Sequence, residues 1–196
     1  MINFIETHWQ ELLGTLFGLL YLYYEYKADM KMWPTGILMS LFYVYVFVSA
    51  GIYAFAVINI YYILAGVYGW FMWGRASQTD ERNVRRAPRK VFLFLLPVVI
   101  TLFLLIGYVL QYLGESTVAW GDSFITTLSI AAMWMLAQRY AEQWLLLIVA
   151  NVVSAALFFY MGLYPSAVLY AVYAVVSVFG LLNWRNMALA TDNKEK

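Results

Sequence analysis

The sequence of 196 residues contains no cysteine and a single histidine, His8. The absence of cysteine excludes disulfides, thiolate metal sites and cysteine nucleophiles. One histidine without a central pair of carboxylates leaves no group for zinc ligation or for acid–base catalysis within the apolar segments. The sequence therefore predicts a protein that is not an enzyme and that needs neither a metal nor another cofactor.

Charged residues are scarce as well: they make up 12% of the chain, whereas hydrophobic residues make up 64%. Soluble domains have about 25% charged and about 45–50% apolar residues, and a chain this short cannot bury so much apolar surface. The apolar runs are continuous, unlike the alternating strands of membrane barrels, and a spanning helix needs about 20 residues. The sequence predicts an all-α membrane protein with seven transmembrane helices, at about 8–26, 33–50, 52–73, 91–113, 121–138, 143–160 and 163–184.

Basic residues are missing from every second connection between these segments. The positive-inside rule therefore places the N-terminus outside and the C-terminus in the cytoplasm, and a cell inner membrane is the expected location. Residues 74–90 form the most basic connection; they determine topology, with binding of acidic lipid or nucleotide as the alternative. The twelve basic residues are Lys27 and Lys31, then Arg75, Arg82, Arg85, Arg86, Arg89 and Lys90, then Arg139, and finally Arg185, Lys194 and Lys196.

The sequence also repeats itself. A shift of 111 residues aligns residues 51–73 with residues 162–184 without a gap, and it also aligns Trp33 with Trp144. Eight pairs in the aligned segments are identical: Gly51/Gly162, Tyr53/Tyr164, Ala56/Ala167, Val57/Val168, Tyr62/Tyr173, Val67/Val178, Gly69/Gly180 and Trp73/Trp184. The first three spans thus correspond to the last three.

This duplication predicts a single transmembrane domain made of two parallel three-helix repeats, the 3+1+3 plan of SWEET-like transporters. Its parts are repeat one at about 8–73, a cytoplasmic linker at 74–90, a linker helix at 91–113, repeat two at about 121–184 and a cytoplasmic tail at 185–196. In duplicated carriers the binding site lies near the middle of the membrane where the repeats meet, so polar residues there are of interest.

Polar groups inside hydrocarbon are costly unless they face the interior of the bundle, which makes each one a candidate binding residue. Asn59, Tyr62 and Trp70 share one stripe of the third span, and Trp73 extends it. An amide beside aromatic rings suits a flat, polar, cationic heteroaromatic ligand. For Trp73 the alternative is a place at the membrane interface.

Further candidates lie in the second, fifth and sixth spans. Asn151 is in the middle of span six and aligns with Ser40; an interhelical hydrogen bond is the alternative role for Asn151. Thr126 in span five either lines the site or bonds its own helix backbone. Glu11 and Asp122, near the outer ends of spans, either attract a cation or simply favour a helix N-terminus.

Ionisable residues are confined to the ends of the spans. Glu25 lies close to Lys27 in the sequence, which predicts a surface ion pair, with a role in the site as the alternative. No Asp, Glu, Lys, Arg or His lies more than about one turn inside a predicted span. This pattern favours a carrier that is not coupled to protons or sodium ions.

Several stretches resemble the PnuC family of vitamin transporters. They are WPTGI (33–37), INIYYILAGVYGWFMW (58–73), WGDSFITTLSIAAMWMLAQRYAEQWLLLIVANVVS (120–154) and GLYPSAVLYAVYAVVSVFGLLNW (162–184), and the likeness covers about residues 10–185. The resemblance implies a seven-helix bundle similar to a fused pair of SemiSWEET units. It further implies facilitated diffusion of nicotinamide riboside across the inner membrane, trapping of the vitamin by a cytoplasmic kinase, and an open choice between a monomer and a homo-oligomer such as a trimer.

The related PnuT members carry thiamine, and two features leave that substrate open. Members that carry nicotinamide riboside tend to have Gln followed by Phe-rich sequence where this chain has Asn59-Ile60-Tyr61-Tyr62, and Glu25 is a second departure. Nicotinamide riboside is thus the predicted substrate and thiamine the alternative; both are small cationic vitamins. A membrane receptor or scaffold subunit without transport activity is a more remote alternative, and nucleic acid is not an expected partner.

Overall fold

The computed structural model describes residues 2–49, 51, 53–76, 84–113 and 118–192, apart from the side chains of 2–12, 15, 53–55, 76, 191 and 192. These residues form seven α-helices: α1 (Ile2–Tyr26), α2 (Met32–Ser49), α3 (Tyr53–Ala76), α4 (Arg89–Leu113), α5 (Ala119–Ala137), α6 (Gln143–Tyr160) and α7 (Tyr164–Asp192). A helix satisfies its backbone hydrogen bonds internally, which hydrocarbon requires. The predicted all-α class is confirmed.

Among the described residues, five stretches of helix are long and apolar enough to cross a membrane. They are Met32–Ser49, Ala56–Arg75, Arg89–Leu113, Gln143–Tyr160 and Tyr164–Ala190. They belong to α2, α3, α4, α6 and α7. The chain is therefore a multi-pass membrane protein, and membrane crossing by α1 and α5 stays a prediction.

The helices form two compact units, unit 1 at Met1–Arg82 and unit 2 at Asn83–Lys196. In unit 1, α2 packs against both α1 and α3. In unit 2, consecutive helices pack in chain order, so that α4 contacts α5, α5 contacts α6, and α6 contacts α7. The short connections explain this order, because they leave neighbouring helices side by side.

Helices α1 and α5 end in the same way. Ala28 (φ 52°) and Arg139 (φ 62°) adopt the left-handed conformation that follows many helices and that glycine usually supplies. The hydrogen bonds of a Schellman motif surround each: Ala28 N to Glu25 O (3.0 Å) and Asp29 N to Tyr24 O (2.9 Å), and likewise Arg139 N to Leu136 O (2.9 Å) and Tyr140 N to Met135 O (3.0 Å). Ala28 and Arg139 are 111 residues apart, as the sequence repeat requires.

A contact between two tryptophans recurs at the same offset, once in each unit. In unit 1 the rings of Trp33 and Trp73 meet edge to face, with centroids 5.7 Å apart. In unit 2, Trp144 and Trp184 do so at 6.0 Å. All four side chains are buried. Each pair therefore joins the start of one helix to the second half of the next, α2 to α3 and α6 to α7.

A glycine makes room for each of these tryptophan pairs. A Cβ atom at Gly180 would lie 2.6 Å from the indole of Trp144, and one at Gly69 would overlap the indole of Trp33. Such distances do not occur between ordinary side chains, so only glycine permits the helix to lie this close to the ring. Gly69 and Gly180 are one of the identical pairs of the sequence repeat.

Candidate functional site

The candidate residues of unit 1 lie mainly on α3, where it packs against α2. Asn59 is 8% exposed in the first half of α3, and Ser40 on α2 is 3% exposed. Tyr62, one turn beyond Asn59, is half-buried. Burial of an amide or a hydroxyl within apolar helices costs free energy unless hydrogen bonds satisfy the group. Buried polar side chains in such helices are therefore candidates for a binding role.

The two tryptophans of the α3 stripe have different surroundings. Trp73 is buried against Trp33, so its place is inside unit 1. The side chain of Trp70 is 44% exposed. The packing explains Trp73 as part of the helix contact, and a role in binding stays a prediction for both residues.

Glu25 lies buried near the end of α1, with only 3% of its surface exposed. The predicted surface ion pair with Lys27 is wrong: within the described part of the chain, Lys27 forms no such pair and its Nζ donates instead to the Tyr23 hydroxyl at 2.6 Å. That hydrogen bond raises the pKa of Lys27. Glu25 and Tyr62 are both within electrostatic reach of Tyr21. A buried carboxyl group thus lies where the closeness of Lys27 in the sequence had suggested an exposed ion pair.

In unit 2, Asn151 joins α6 to α7. Its Nδ2 donates a hydrogen bond to Ser177 Oγ at 3.2 Å. Ser177 Oγ in turn donates to the backbone carbonyl of Tyr173 at 2.8 Å. The interhelical hydrogen bond, which the sequence left as the alternative for Asn151, is therefore formed, and it holds the amide in one orientation.

Aromatic residues that were not among the predicted site residues lie next to this hydrogen bond on α6 and α7. Tyr170 stacks on Phe158 of α6 with centroids 5.1 Å apart, and it meets Tyr173 edge to face at 5.8 Å. Tyr173 corresponds to Tyr62 and Tyr170 to Asn59 in the sequence repeat. Tyr173 could have been selected from the sequence, because the repeat aligns it with an identical residue, Tyr62. Tyr170 could not, because the residue aligned with it is Asn59.

The candidates of α5 occupy its first half. Asp122 lies in the first turn of the helix, where a carboxylate stabilises the helix dipole, and it is half-buried. Thr126, one turn further on, is also half-buried. The side chain of Glu11, the counterpart of Asp122, lies outside the described residues.

The described side chains offer amides, phenols, hydroxyls and one buried carboxylate, which can bind and orient a flat polar ligand. No group of three or more His, Cys, Asp or Glu within the described residues could hold a metal ion. The inventory suits recognition of a small molecule by hydrogen bonds and ring contacts.

Comparison with known proteins agrees with this inventory. The Escherichia coli (strain K12) nicotinamide riboside transporter PnuC is 25% identical over 93% of this chain and 87% of its own length. The riboflavin/roseoflavin transporter RibM of Streptomyces davaonensis is 24% identical over 90% of this chain and 84% of its own length. The relatives thus include transporters of two different vitamins.

A solved structure shows the same fold. The crystal structure of the vitamin B3 transporter PnuC superposes with a TM-score of 0.74, covering 96% of this chain and 85% of that chain at 22% identity. The description of the nicotinamide mononucleotide transporter family matches residues 8–186. The resemblance to PnuC seen in the sequence is confirmed: the chain belongs to the nicotinamide mononucleotide transporter family and is a membrane transporter, not an enzyme.

Proposed function

We propose that this protein carries nicotinamide riboside across the membrane by facilitated diffusion. The observation that carries the proposal is the buried amide of Asn59 with Tyr62 one turn away on α3. The amide can orient a carboxamide or a ribose by hydrogen bonds, and aromatic faces attract a cationic ring. The name of the Escherichia coli relative, a nicotinamide riboside transporter, supports this choice among vitamins.

The proposed architecture is seven spans arranged as two parallel three-helix repeats with α4 as the linker helix, in the manner of SWEET-like transporters. The recurrence of helix ends, left-handed residues and tryptophan pairs at 111 residues supports the repeat. The distribution of basic residues supports an inner-membrane protein with its N-terminus outside and its C-terminus in the cytoplasm. Asn151, Thr126, Ser40, Trp70 and Trp73 stay proposed contacts, and Asp122 and Glu11 proposed attractors.

The substrate is a cation in this proposal, and thiamine is the second candidate. Glu25, a buried carboxyl group near the end of α1, would attract either cation in its ionised form. Riboflavin, which the Streptomyces relative carries, is neutral and would gain nothing from that charge. A cytoplasmic kinase would then trap the vitamin by phosphorylation, and association into trimers is open.

Calorimetric titration of the purified protein with nicotinamide riboside, thiamine and riboflavin tests the proposal. The expected result is micromolar or tighter binding of nicotinamide riboside, with weaker binding of the other two. Tight binding of thiamine with none of the riboside would assign the thiamine function instead. Binding of none of the three by folded protein would favour the receptor or scaffold alternative.

A further inference from the structure

Residues 84–88, here called the strap, are not helical and pair through Arg85 with the connection between α5 and α6. Arg85 N donates to the carbonyl of Arg139 at 3.0 Å, and Ala141 N donates to the carbonyl of Arg85 at 3.0 Å, which makes one parallel β-bridge between Arg85 and Tyr140. Val84 is buried at the start of the strap. The backbone that precedes α4 is therefore held in place within unit 2.

Side chains add to this attachment. The carboxylate of Glu142 accepts a hydrogen bond from Ala87 N at 2.7 Å. Arg85 Nε donates to the Gln138 carbonyl at 3.2 Å, and its guanidinium lies 4.9 Å from the centre of the Tyr140 ring. Ala87 also packs against the hydrophobic cluster of Leu95, Ala131, Met135 and Tyr140. The strap thus has several independent anchors.

The strap and the first turn of α4 present a surface of four exposed cations. Arg85, Arg86, Arg89 and Lys90 lie within six positions of one another and are all exposed. The carboxylate of Glu142 is engaged with the strap backbone. Over the described part of the chain no ion pair neutralises these four residues, so their charges are accessible to anions from outside.

The position of these cations relative to the bilayer follows from α4. Arg89 and Lys90 begin the most apolar of the candidate spans. Immediately after them, Phe92, Leu93 and Phe94 are exposed, as expected of side chains that face lipid. The basic residues therefore lie at the depth of the lipid headgroups, beside the N-terminal amides of α4, which also attract anions.

We propose that the strap and the start of α4 bind the headgroup of an anionic phospholipid such as phosphatidylglycerol. Guanidinium groups match phosphate oxygens in pairs, and the fixed backbone holds them at the membrane surface before a lipid arrives. The proposal is independent of the transported vitamin and of the direction in which the chain crosses the membrane. A flexible basic loop that only determines topology would show no preference among lipids in the folded protein.

The test uses the intact protein, delipidated in detergent and titrated with phosphatidylglycerol or phosphatidylcholine under native mass spectrometry. The expected result is a preference for phosphatidylglycerol that falls by about tenfold or more in the triple variant R86Q/R89Q/K90Q, since each basic residue contributes severalfold near an anionic surface. The matched control is K27Q/K31Q/R75Q, which removes three exposed cations from unit 1 and is expected to keep the preference within about twofold.

Any of these outcomes would overturn the proposal: equal binding of the two lipids by the native chain, an equal loss in the control variant, or full displacement of phosphatidylglycerol by millimolar inorganic phosphate. The last would indicate a general anion site instead of a lipid site. Thermal unfolding of both variants checks that they are folded. A single R86Q variant leaves the first turn of α4 intact and is expected to show a smaller loss of the preference for phosphatidylglycerol. An unchanged preference in both R86Q and R86Q/R89Q/K90Q would contradict the assignment.

Discussion

Asn59, with its buried side-chain amide, is the residue on which the proposed recognition of the vitamin most depends. Asn59→Ala is expected to weaken vitamin binding by about tenfold, the effect of losing one good hydrogen bond in a dry site. Titration calorimetry measures the loss, and thermal unfolding shows that the variant is folded. Ser154→Ala is the control, because Ser154 Oγ donates to Ala150 O of its own helix at 2.8 Å. Unchanged affinity in Asn59→Ala would remove Asn59 from the site.

Glu25 is the residue for which the sequence was most misleading. Glu25→Gln keeps the size of the side chain and one acceptor oxygen, but it removes the charge and replaces the other oxygen by an NH2 donor. It is expected to weaken binding of cationic vitamins by about tenfold or more, since a charged partner in a buried site contributes more than a neutral one. Asp29→Asn removes the same charge from the next connection, where Asp29 Oδ1 accepts a hydrogen bond from Lys31 N, and should leave affinity unchanged. Equal effects of the two variants would mean that Glu25 acts only through the overall charge.

Sequence patterns located the polar residues within the helices but not their partners. The burial of Asn59 followed from its place in an apolar span, because any polar group there must face protein. The bond from Asn151 to Ser177 could not be predicted, since it depends on the rotation of α6 against α7. Nor could the partner of Lys27 be predicted: its Nζ donates to the hydroxyl of Tyr23, one turn earlier on α1, and not to the carboxylate of Glu25, two positions away in the sequence.

At the scale of elements, apolar runs predicted where helices lie better than where they end. The bounds of α6 agree with the prediction of 143–160, whereas α7 continues from the predicted end at 184 to Asp192. Helices do not stop where hydropathy falls; they stop at residues that favour another conformation, and RNMALATD (185–192) contains neither glycine nor proline. The strap was not predicted at all, because its partners lie more than fifty positions further along the chain.

The glycines under the tryptophan pairs give the element scale its own prediction. Gly180→Ala places a methyl group against the rigid ring of Trp144, and we expect it to destabilise unit 2 by about 1–3 kcal/mol. The measurement is thermal unfolding in detergent. Gly18→Ala is the control, because a Cβ there meets no atom within 4 Å, and helix propensity should make it neutral or slightly stabilising. If both variants unfolded at the same temperature, the close approach of α7 to Trp144 would be in doubt.

At the scale of the whole molecule, the distribution of basic residues predicts which ends face the cytoplasm. The absence of cysteine allows this to be tested by single substitutions without altering any native thiol. In intact cells, Met161→Cys, between α6 and α7, should react with a membrane-impermeant maleimide. Ala190→Cys, near the end of α7, should react only after the cells are opened. The reverse pattern would invert the proposed orientation, and labelling of both in intact cells would rule out an odd number of crossings between them.

The mode of transport is the property that depends on the whole chain. A gradient-driven carrier needs an ionisable group or an ion site within the membrane, and the apolar interiors of the predicted spans contain none, since Glu25 lies in the last turn of α1. Reconstituted vesicles should therefore take up the vitamin only until the inner and outer concentrations are equal, and a sodium or proton gradient should not change that level. Vesicles preloaded with unlabelled vitamin should show transient counterflow of the labelled form, as a facilitator requires. Accumulation above the outer concentration under either gradient would show coupling, and Glu25→Gln would then reveal whether that one buried carboxylate is responsible.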